Sequence, residues 1–292
     1  MQDCRVVTIT TPKKYLLNGL LFGGAKAKTG FIFIHGLTDD AFGKHKLFTP
    51  LVNEQTSALF FNNRGHDVVA WVKRINNRTK KGYTSEEIGT AHEVFTDCAD
   101  DIQGAVDLLI SQSVENIYLV GHSTGTQKAV YYLSRAGKQQ LVKGVVLLCP
   151  ISDVAYSLKY EPPVKLKKAI HWAKRSVQAG KPRALLPPEI WPDELLDAQR
   201  FLSINTPDSI EQQIFSYFNV AKKPKIFQKV QIPMLVVLAE EDEYSDRSAR
   251  QIAHWFEANN KSSKFQAGII KDSLHNLRGH ETEIASAIKN WT

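Results

Sequence analysis

The chain has 292 residues, of which 43% are hydrophobic, and this favours one large core with an insertion over two equal domains. Its net charge is +7, but the basic residues are spread along the chain and no nucleic-acid-binding motif accompanies them. The three cysteines lie far apart, which argues against a disulfide framework or a CxxC metal site.

The sequence carries no obvious targeting signal. No basic-then-apolar leader opens it, and no apolar run approaches the roughly 18 residues that a membrane span needs. With the odd number of cysteines, these features predict a reduced, cytoplasmic setting. The expected partner is a small molecule, with no membrane span and no nucleic acid, and the expected assembly is a monomer or a homodimer.

Strands and helices alternate along most of the chain. Apolar runs predict strands over residues 6–11, 15–22, 31–34, 58–61, 117–120, 144–150, 232–239 and 265–270. Helical periodicity predicts helices over residues 46–54, 97–111, 127–133 and 246–259, and a last helix that ends at 291. The first two strands are expected to form an antiparallel pair. The alternation predicts the α/β class, with a mostly parallel central sheet and helices on both faces.

Residues 155–230 interrupt this alternation after the sixth predicted strand. They contain a basic helical stretch over 165–177 and a proline-rich stretch over 185–192. Because ligands bind beyond the carboxyl ends of the strands in open α/β sheets, an insertion there is expected to cover the site. The predicted domains are therefore a core, 1–154 and 231–292, and a helical cap (lid), 155–230. A purely structural helical excursion is the alternative.

The sequence Gly121-His122-Ser123-Thr124-Gly125 lies between a predicted strand and a predicted helix. This G-x-S-x-G turn is typical of a nucleophile elbow, in which small residues beside the serine allow a sharp turn that exposes the hydroxyl. The helix that follows directs its N-terminal amides toward charge that develops there. Ser123 is therefore the candidate nucleophile.

An elbow serine needs an acid and then a base further along the chain. Several carboxylates follow the strand over 232–239, and Asp242 is the candidate acid because a short side chain just past a strand suits a fixed contact to an imidazole. The other acids of this stretch are interpreted as helix N-terminal charges. Asp153, just past the strand that precedes the cap, is the rival position.

His275 is the candidate base, because it lies in the loop between the last strand and the last helix. His280, its local competitor, is assigned to the last helix. Of the remaining histidines, His35, His66 and His122 are assigned to turns in which the backbone shape matters.

Two backbone amides are candidates for an oxyanion hole. One belongs to Thr124, directly after the nucleophile, and the other to Leu37, in the turn after the strand over 31–34. The elbow and the oxyanion loop are expected to be supported by His35, Gly36, Gly121, His122 and Gly125.

The order Ser123, Asp242, His275 is that of the α/β-hydrolase superfamily, and the chain resembles a serine hydrolase of this superfamily over nearly its whole length. The resemblance implies the α/β-hydrolase fold. A narrower resemblance, to the cytosolic siderophore esterases of fungi and their uncharacterised relatives, rests on four segments. These segments are residues 121–127, 179–187, 200–203 and 241–244.

The siderophore esterases hydrolyse fusarinine-type hydroxamate esters, but the chain departs from their pattern at two places. They favour a cysteine where Thr126 stands and Gly-Gly-Leu where His35-Gly36-Leu37 stands. The resemblance therefore carries over the fold and the chemistry more securely than the substrate.

The resemblance implies a carboxylic ester hydrolase that works through an acyl-enzyme and needs neither a metal nor an organic cofactor. The alternatives are a lactonase of the acyl-homoserine lactone type, a siderophore-ester hydrolase, and a non-catalytic ligand receptor on the same fold. A peptidase is disfavoured, because no acidic cluster of the cap is clearly placed to hold a free amino terminus.

Two expectations concern the surroundings of the site. The basic residues are interpreted as solvated, and the alternative is that they crowd the mouth of the site and attract anionic esters. The aromatic residues of the cap are expected mainly to pack on the core, with some lining an acyl pocket. These residues are Trp172, Trp191, Phe201, Phe215, Tyr217 and Phe218.

Overall fold

A computed structural model describes residues 4–24, 26–47, 49–219 and 221–292. Its strands are β1 (Cys4–Thr10), β2 (Tyr15–Phe22), β3 (Thr29–Ile34), β4 (Thr56–Phe61), β5 (Ala70–Ile75), β6 (Tyr83–Ile88), β7 (Asn116–His122), β8 (Gly144–Leu148), β9 (Met234–Ala239) and β10 (Phe265–Ile270). Its α-helices are α1 (Cys98–Ser111), α2 (Thr124–Leu133), α3 (Asp153–Tyr160), α4 (Pro163–Gln178), α5 (Ala198–Asn205), α6 (Ala249–Asn259) and α7 (Glu281–Trp291).

The strands form one sheet in the order β10-β9-β8-β7-β3-β4-β2-β5-β6, with β1 paired to β2. The pairs from β10 through β4 are parallel, whereas β2 is antiparallel to β1, β4 and β5. Both the mostly parallel sheet and the opening antiparallel pair are therefore confirmed. In the register of β3 with β7, Ile34 lies opposite Gly121, which brings the carboxyl ends of these two strands together.

A hairpin of β5 and β6 extends the sheet and was not predicted. Its first strand, with the sequence AWVKRI, exposes most of its residues, among them Lys73 and Arg74, so a pattern of alternating burial is hard to read from it. Because this hairpin precedes it, the sixth predicted strand is β8, the eighth in chain order.

Alternate residues of the central strands pack on opposite faces of the sheet, as the pleat requires. On one face, Ile32 of β3 belongs to a buried cluster with Ile102 of α1 and Phe256 of α6. On the other face, Phe33 belongs to a cluster with Ile288 of α7. The helices thus cover both faces, as predicted.

The predicted helix over residues 46–54 is wrong. The chain instead forms two short 3-10 turns, His45–Leu47 and Thr49–Leu51. Pro50 accounts for this, because proline has no backbone N–H to donate and its ring clashes with the preceding turn of an α-helix. Leu47 and Leu51, which lie in these turns, are buried.

Between β8 and β9, the chain forms α3, α4 and α5 and a separate buried cluster. Trp191 and Phe201 belong to this cluster, and Trp172 packs against it. The aromatic residues that come later, Phe215 and Tyr217, instead join the main core beside α6. Packing therefore dominates for the aromatic residues of this segment, as expected.

The longest described α-helix, α4, has 16 residues. No helix in the described part of the chain combines the length and the apolarity that a bilayer crossing requires.

The aromatic cluster beside α6 yields a test of core packing. Phe256 is fully buried and contacts Phe215 and Phe227 edge-on. We expect Phe256→Ala to lower the free energy of unfolding by about 3–5 kcal/mol, because it leaves a cavity among these rings. Chemical denaturation measures this change, with Val6→Ala, at a position 82% exposed, as the control. Equal denaturant concentrations at the unfolding midpoint of the two variants would contradict the packing described.

Candidate active site

Ser123 lies on the turn between β7 and α2, with φ 55° and ψ −130°. A positive φ at a residue that has a Cβ is costly, so the surrounding structure must hold it in place. Ser123 N donates to the Leu148 carbonyl at 3.0 Å, and the Ser123 carbonyl accepts from Thr126 Oγ1 at 2.6 Å. The serine lines a cavity of about 850 Å³.

Two glycines allow the turn to press against the neighbouring strand. A Cβ on Gly125 would lie 2.0 Å from the carbonyl oxygen of Ile34, and a Cβ on Gly36 would lie 2.8 Å from the Cβ of Ser123. Neither gap admits a side chain without a backbone shift. The G-x-S-x-G spacing therefore reflects the contact between the end of β3 and the start of α2.

His275 and Asp242 lie side by side at the carboxyl end of the sheet. Nδ1 of His275 is 2.8 Å from Oδ2 of Asp242, and both side chains are at most 9% exposed. His275 lines the same cavity as Ser123. The structure thus brings the three residues of the predicted triad to one place.

The rival acid, Asp153, makes other contacts. Its Oδ2 accepts from Nε2 of Gln212 at 2.7 Å, and it lines the cavity at the first residue of α3. Burial and the charge of Glu211 raise the pKa of Asp153 to about 6, although Gln212 and Arg200 favour its ionised form.

The acids around Asp242 are not helix N-terminal charges, and that interpretation is wrong. The next helix, α6, starts only at Ala249 and is capped by Ser248. Glu243 Oε2 instead accepts from the backbone N–H of His275 at 2.8 Å, and Glu240 Oε2 accepts from that of Asp272 at 3.1 Å. These two glutamates fix the loop that carries the histidine, a role that appears only once the loop is folded against β9.

His122 also holds the His275 loop. It is buried, and its Nε2 lies 2.8 Å from the carbonyl oxygen of His275, with the two rings 5.0 Å apart at their centroids. Burial, with the nearby His275, lowers the pKa of His122 well below its usual value, which keeps the ring neutral. The neutral ring can then donate from Nε2 to this carbonyl.

His35 ties the loop after β3 to the end of β4. Its Nε2 accepts from the backbone N–H of Asn63 at 3.2 Å, so Nδ1 carries the proton and donates to the Gly36 carbonyl at 2.9 Å. Burial, with the charge of Lys128, lowers the pKa of His35 to about 3. A neutral imidazole therefore sets the path of the loop on which Leu37 lies.

The two candidate oxyanion donors belong to the two segments that meet at Ser123. Leu37 follows Gly36 and lines the cavity, and Thr124 is the buried first residue of α2. The competing histidine, His280, is not inside the last helix but caps it, with its ring 3.4 Å from Glu283.

A buried ion cluster, which sequence reasoning missed, lies behind the elbow. Lys128 of α2 is 2.6 Å from Glu93, and Arg200 of α5 is 2.7 Å from the same carboxylate and 2.6 Å from Glu211. Although burial opposes the charge, Lys128 and Arg200 lower the pKa of Glu93 to about 2. The cluster connects the inserted helices to the elbow helix.

The cavity is acidic, so the alternative of a basic mouth is wrong for the described residues. Of the basic helix α4, only Lys165 lines it, and this lysine is bound to Glu161 and Asp193. Only one other lysine, Lys44, lines the cavity. The carboxylates along its wall are Asp39, Asp153, Glu161, Asp193, Glu194 and Glu243.

This wall also removes the reason for disfavouring a peptidase. Glu161, Asp193 and Glu194 all come from the segment predicted to be the cap, and all line the cavity that contains Ser123. Acidic side chains of the inserted segment therefore do face the candidate nucleophile's cavity. Among the aromatic residues predicted for an acyl pocket, the lining includes Trp191.

One group among the described residues has the spacing of a metal site. The ligand atoms of Cys149, Asp242 and His275 lie within 4.8 Å of one another. Burial raises the pKa of the Cys149 thiol well above its usual value, which disfavours the thiolate that a metal would bind. The direct contact of Asp242 with His275 already uses one ligand atom of each.

The fold is shared with solved structures of esterases. Siderophore hydrolase EstB from Aspergillus fumigatus has a TM-score of 0.68 at 16% identity, over 99% of this chain and 97% of that one. Ferulic-acid-bound Est1E from Butyrivibrio proteoclasticus has a TM-score of 0.63 at 16% identity, over 97% and 96%. The molecule thus has the α/β-hydrolase fold, as predicted, and the resemblance to a siderophore esterase is confirmed in the fold.

The chain belongs to the family described as "Protein of unknown function (DUF1749)", which matches residues 19–289. It is also 26% identical over 200 residues to "Putative esterase/lipase 3" of Mycoplasma pneumoniae. This match covers 67% of the chain and 66% of that protein.

The buried neutral His35 gives a pH prediction. An unfolded histidine gains a proton below about pH 6.5, whereas His35 in the folded chain resists protonation down to about pH 3. The unfolded state therefore binds more protons in this window, so His35 makes the free energy of unfolding rise with pH there. We expect His35→Gln to flatten that rise.

Denaturant unfolding at a series of pH values between these limits measures the slope. His254→Gln, an exposed position on α6, is the matched control and is expected to keep the parent slope. A slope in His35→Gln as steep as in the control would contradict a neutral buried His35.

Proposed function

We propose that the protein hydrolyses carboxylic esters, with Ser123 as the nucleophile. One observation carries the proposal: a serine held at positive φ on an elbow lines the same cavity as a histidine whose Nδ1 is bound to an aspartate with a side chain only 7% exposed. This is the constellation in which a serine gains nucleophilicity from a neighbouring base. The esterase relatives of the same fold agree with it.

In this mechanism, His275 takes the proton of Ser123 as the hydroxyl attacks the ester carbonyl. Asp242 holds the proton on Nδ1, so that Nε2 is free to act as the base, and it stabilises the imidazolium that forms. The protonated His275 then gives its proton to the departing alcohol. Water attacks the acyl-enzyme by the same route in reverse, which restores the serine and releases the acid.

The amides of Leu37 and Thr124 would bind the negative oxygen of the tetrahedral intermediate. Thr124 is the first residue of α2, so the helix dipole adds to its hydrogen bond. Gly36 supports this role, since the absence of a side chain lets the Leu37 loop approach Ser123. His35 would keep that loop in place through the Gly36 carbonyl.

Residues 155–230 would act as the cap, over a core of 1–154 and 231–292. Two observations support this division. The segment carries its own buried cluster around Phe201, and it supplies the cavity wall on the side of Trp191.

Removal of the nucleophile tests the reaction directly. We expect Ser123→Ala to lower kcat for p-nitrophenyl butyrate by about 10⁴-fold or more, because no other group can form the acyl-enzyme. Ser286→Ala, an exposed serine on α7, is the matched control and is expected to keep the parent rate. Release of p-nitrophenol by Ser123→Ala at the parent rate would refute the proposal. Faster cleavage of the matching p-nitroanilide than of the ester would identify an amidase instead.

The identity of the acid is tested by a second pair of variants. Asp242→Asn is expected to lower kcat by about 10⁴-fold, as loss of the orienting carboxylate does in other serine hydrolases, because it favours the wrong tautomer of His275. Asp107→Asn, an exposed position on α1, serves as the control. A larger loss of kcat in Asp153→Asn than in Asp242→Asn would move the acid role to Asp153.

A further inference from the structure

The charge of the cavity is opposite to the charge of the protein. The whole chain carries a net charge of +7, yet carboxylates outnumber lysines along the cavity wall. One of the two lysines there, Lys165, is already neutralised by Glu161 and Asp193. Low-dielectric walls focus the field of such a group of like charges into the space between them, so the cavity attracts cations.

Asp153 is the carboxylate whose position is hardest to explain by packing alone. It is 8% exposed, yet it lines the cavity, and no lysine or arginine of the described residues lies within ion-pair distance of it. Arg200, whose charge reaches it, is bound to Glu93 and Glu211. A buried acid without an ion-pair partner is stabilised when a bound molecule supplies a positive charge.

The neighbours of Asp153 offer further polar contacts without adding positive charge. Ser157, on the next turn of α3, donates to Asn205 of α5 at 2.7 Å, and both residues line the cavity. Glu194 lines it as well and is exposed to solvent. The wall therefore combines a buried carboxylate, neutral acceptors and an exposed carboxylate, which suits an ammonium group with several N–H donors.

We infer that the substrate is an ester that carries a protonated amine, which Asp153 and Glu194 bind while Ser123 attacks the carbonyl. This inference rests on the proposed ester hydrolysis and names the substrate class of the same cavity. Asp153 acts as a specificity residue: it contacts the substrate but takes no part in proton transfer. The amine stays charged throughout, and the ester alone is cleaved, to an acid and an alcohol.

Matched esters separate the charge from the shape of the substrate. On the acyl side, p-nitrophenyl 6-aminohexanoate is compared with the neutral hexanoate and with the carboxylate-bearing adipate monoester. On the alcohol side, 6-aminohexyl butyrate is compared with its neutral isostere, heptyl butyrate. Because a charge-assisted contact favours the cation, we expect kcat/KM for the cationic ester of at least one pair to exceed that of its neutral partner by about 10- to 100-fold, with the adipate slowest.

Asp153→Asn and Glu194→Gln are each expected to lower the ratio of kcat/KM between the cationic and the neutral ester, and added salt is expected to lower the ratio in the parent protein. Asp107→Asn and Glu257→Gln, both exposed and away from the cavity, are the matched controls and keep the parent ratio. Because both esters are measured on the same variant, a general loss of activity lowers both kcat/KM values and leaves their ratio unchanged.

A ratio near one in both pairs, with the neutral esters still cleaved in a Ser123-dependent way, would overturn the inference and leave the ester hydrolysis intact. A raised ratio that both Asp153→Asn and Glu194→Gln preserve would also overturn it. If no ester is cleaved faster than by Ser123→Ala, the proposed function fails, and the inference fails with it.

Discussion

The parallel pairing of β3 with β7 is the constraint on which the site depends. Their register sets Ile34 opposite Gly121, and the chain then turns away at both strand ends within touching distance. Only hydrogen atoms fit on the α-carbons at Gly36 and Gly125, so the two turns pack backbone against backbone. The left-handed conformation of Ser123 persists because these contacts, and its bond to the Leu148 carbonyl, leave it no relaxed alternative.

The features of the fold that could be predicted from the sequence are those that depend on residues close together in the chain. The elbow motif and the apolar strands are local patterns, and they led to the sheet and to Ser123 and His275, which line one cavity, with Asp242 bound to the histidine. Glu243 was missed, and His122 was expected only to support the elbow, because each acts on the backbone of His275, more than 30 residues away in the chain. No local sequence pattern shows that a carboxylate or an imidazole will form a hydrogen bond with a backbone amide or carbonyl far away in the chain.

The acidity of the cavity was not foreseen for a related reason. Composition gives the sum of the charges, whereas the field in a cavity depends on which side chains fold toward it and which of these are already paired. Lys165 illustrates the difference: in the sequence it starts a basic run, and in the fold it is bound by two carboxylates. The acidic residues on the wall come from segments far apart along the chain, so no stretch of sequence displays them together.

The ion cluster of Glu93, Lys128 and Arg200 restricts how molecules reach the cavity. If α5 moved away, the buried carboxylates of Glu93 and Glu211 would lose the positive charge of Arg200, and Glu93 would keep only Lys128 as its ion-pair partner. A hinged opening on that side is therefore energetically unfavourable. On the α5 side, a bound molecule must therefore fit the cavity of about 850 Å³ as it stands, because that part of the wall cannot retreat without breaking the ion pairs.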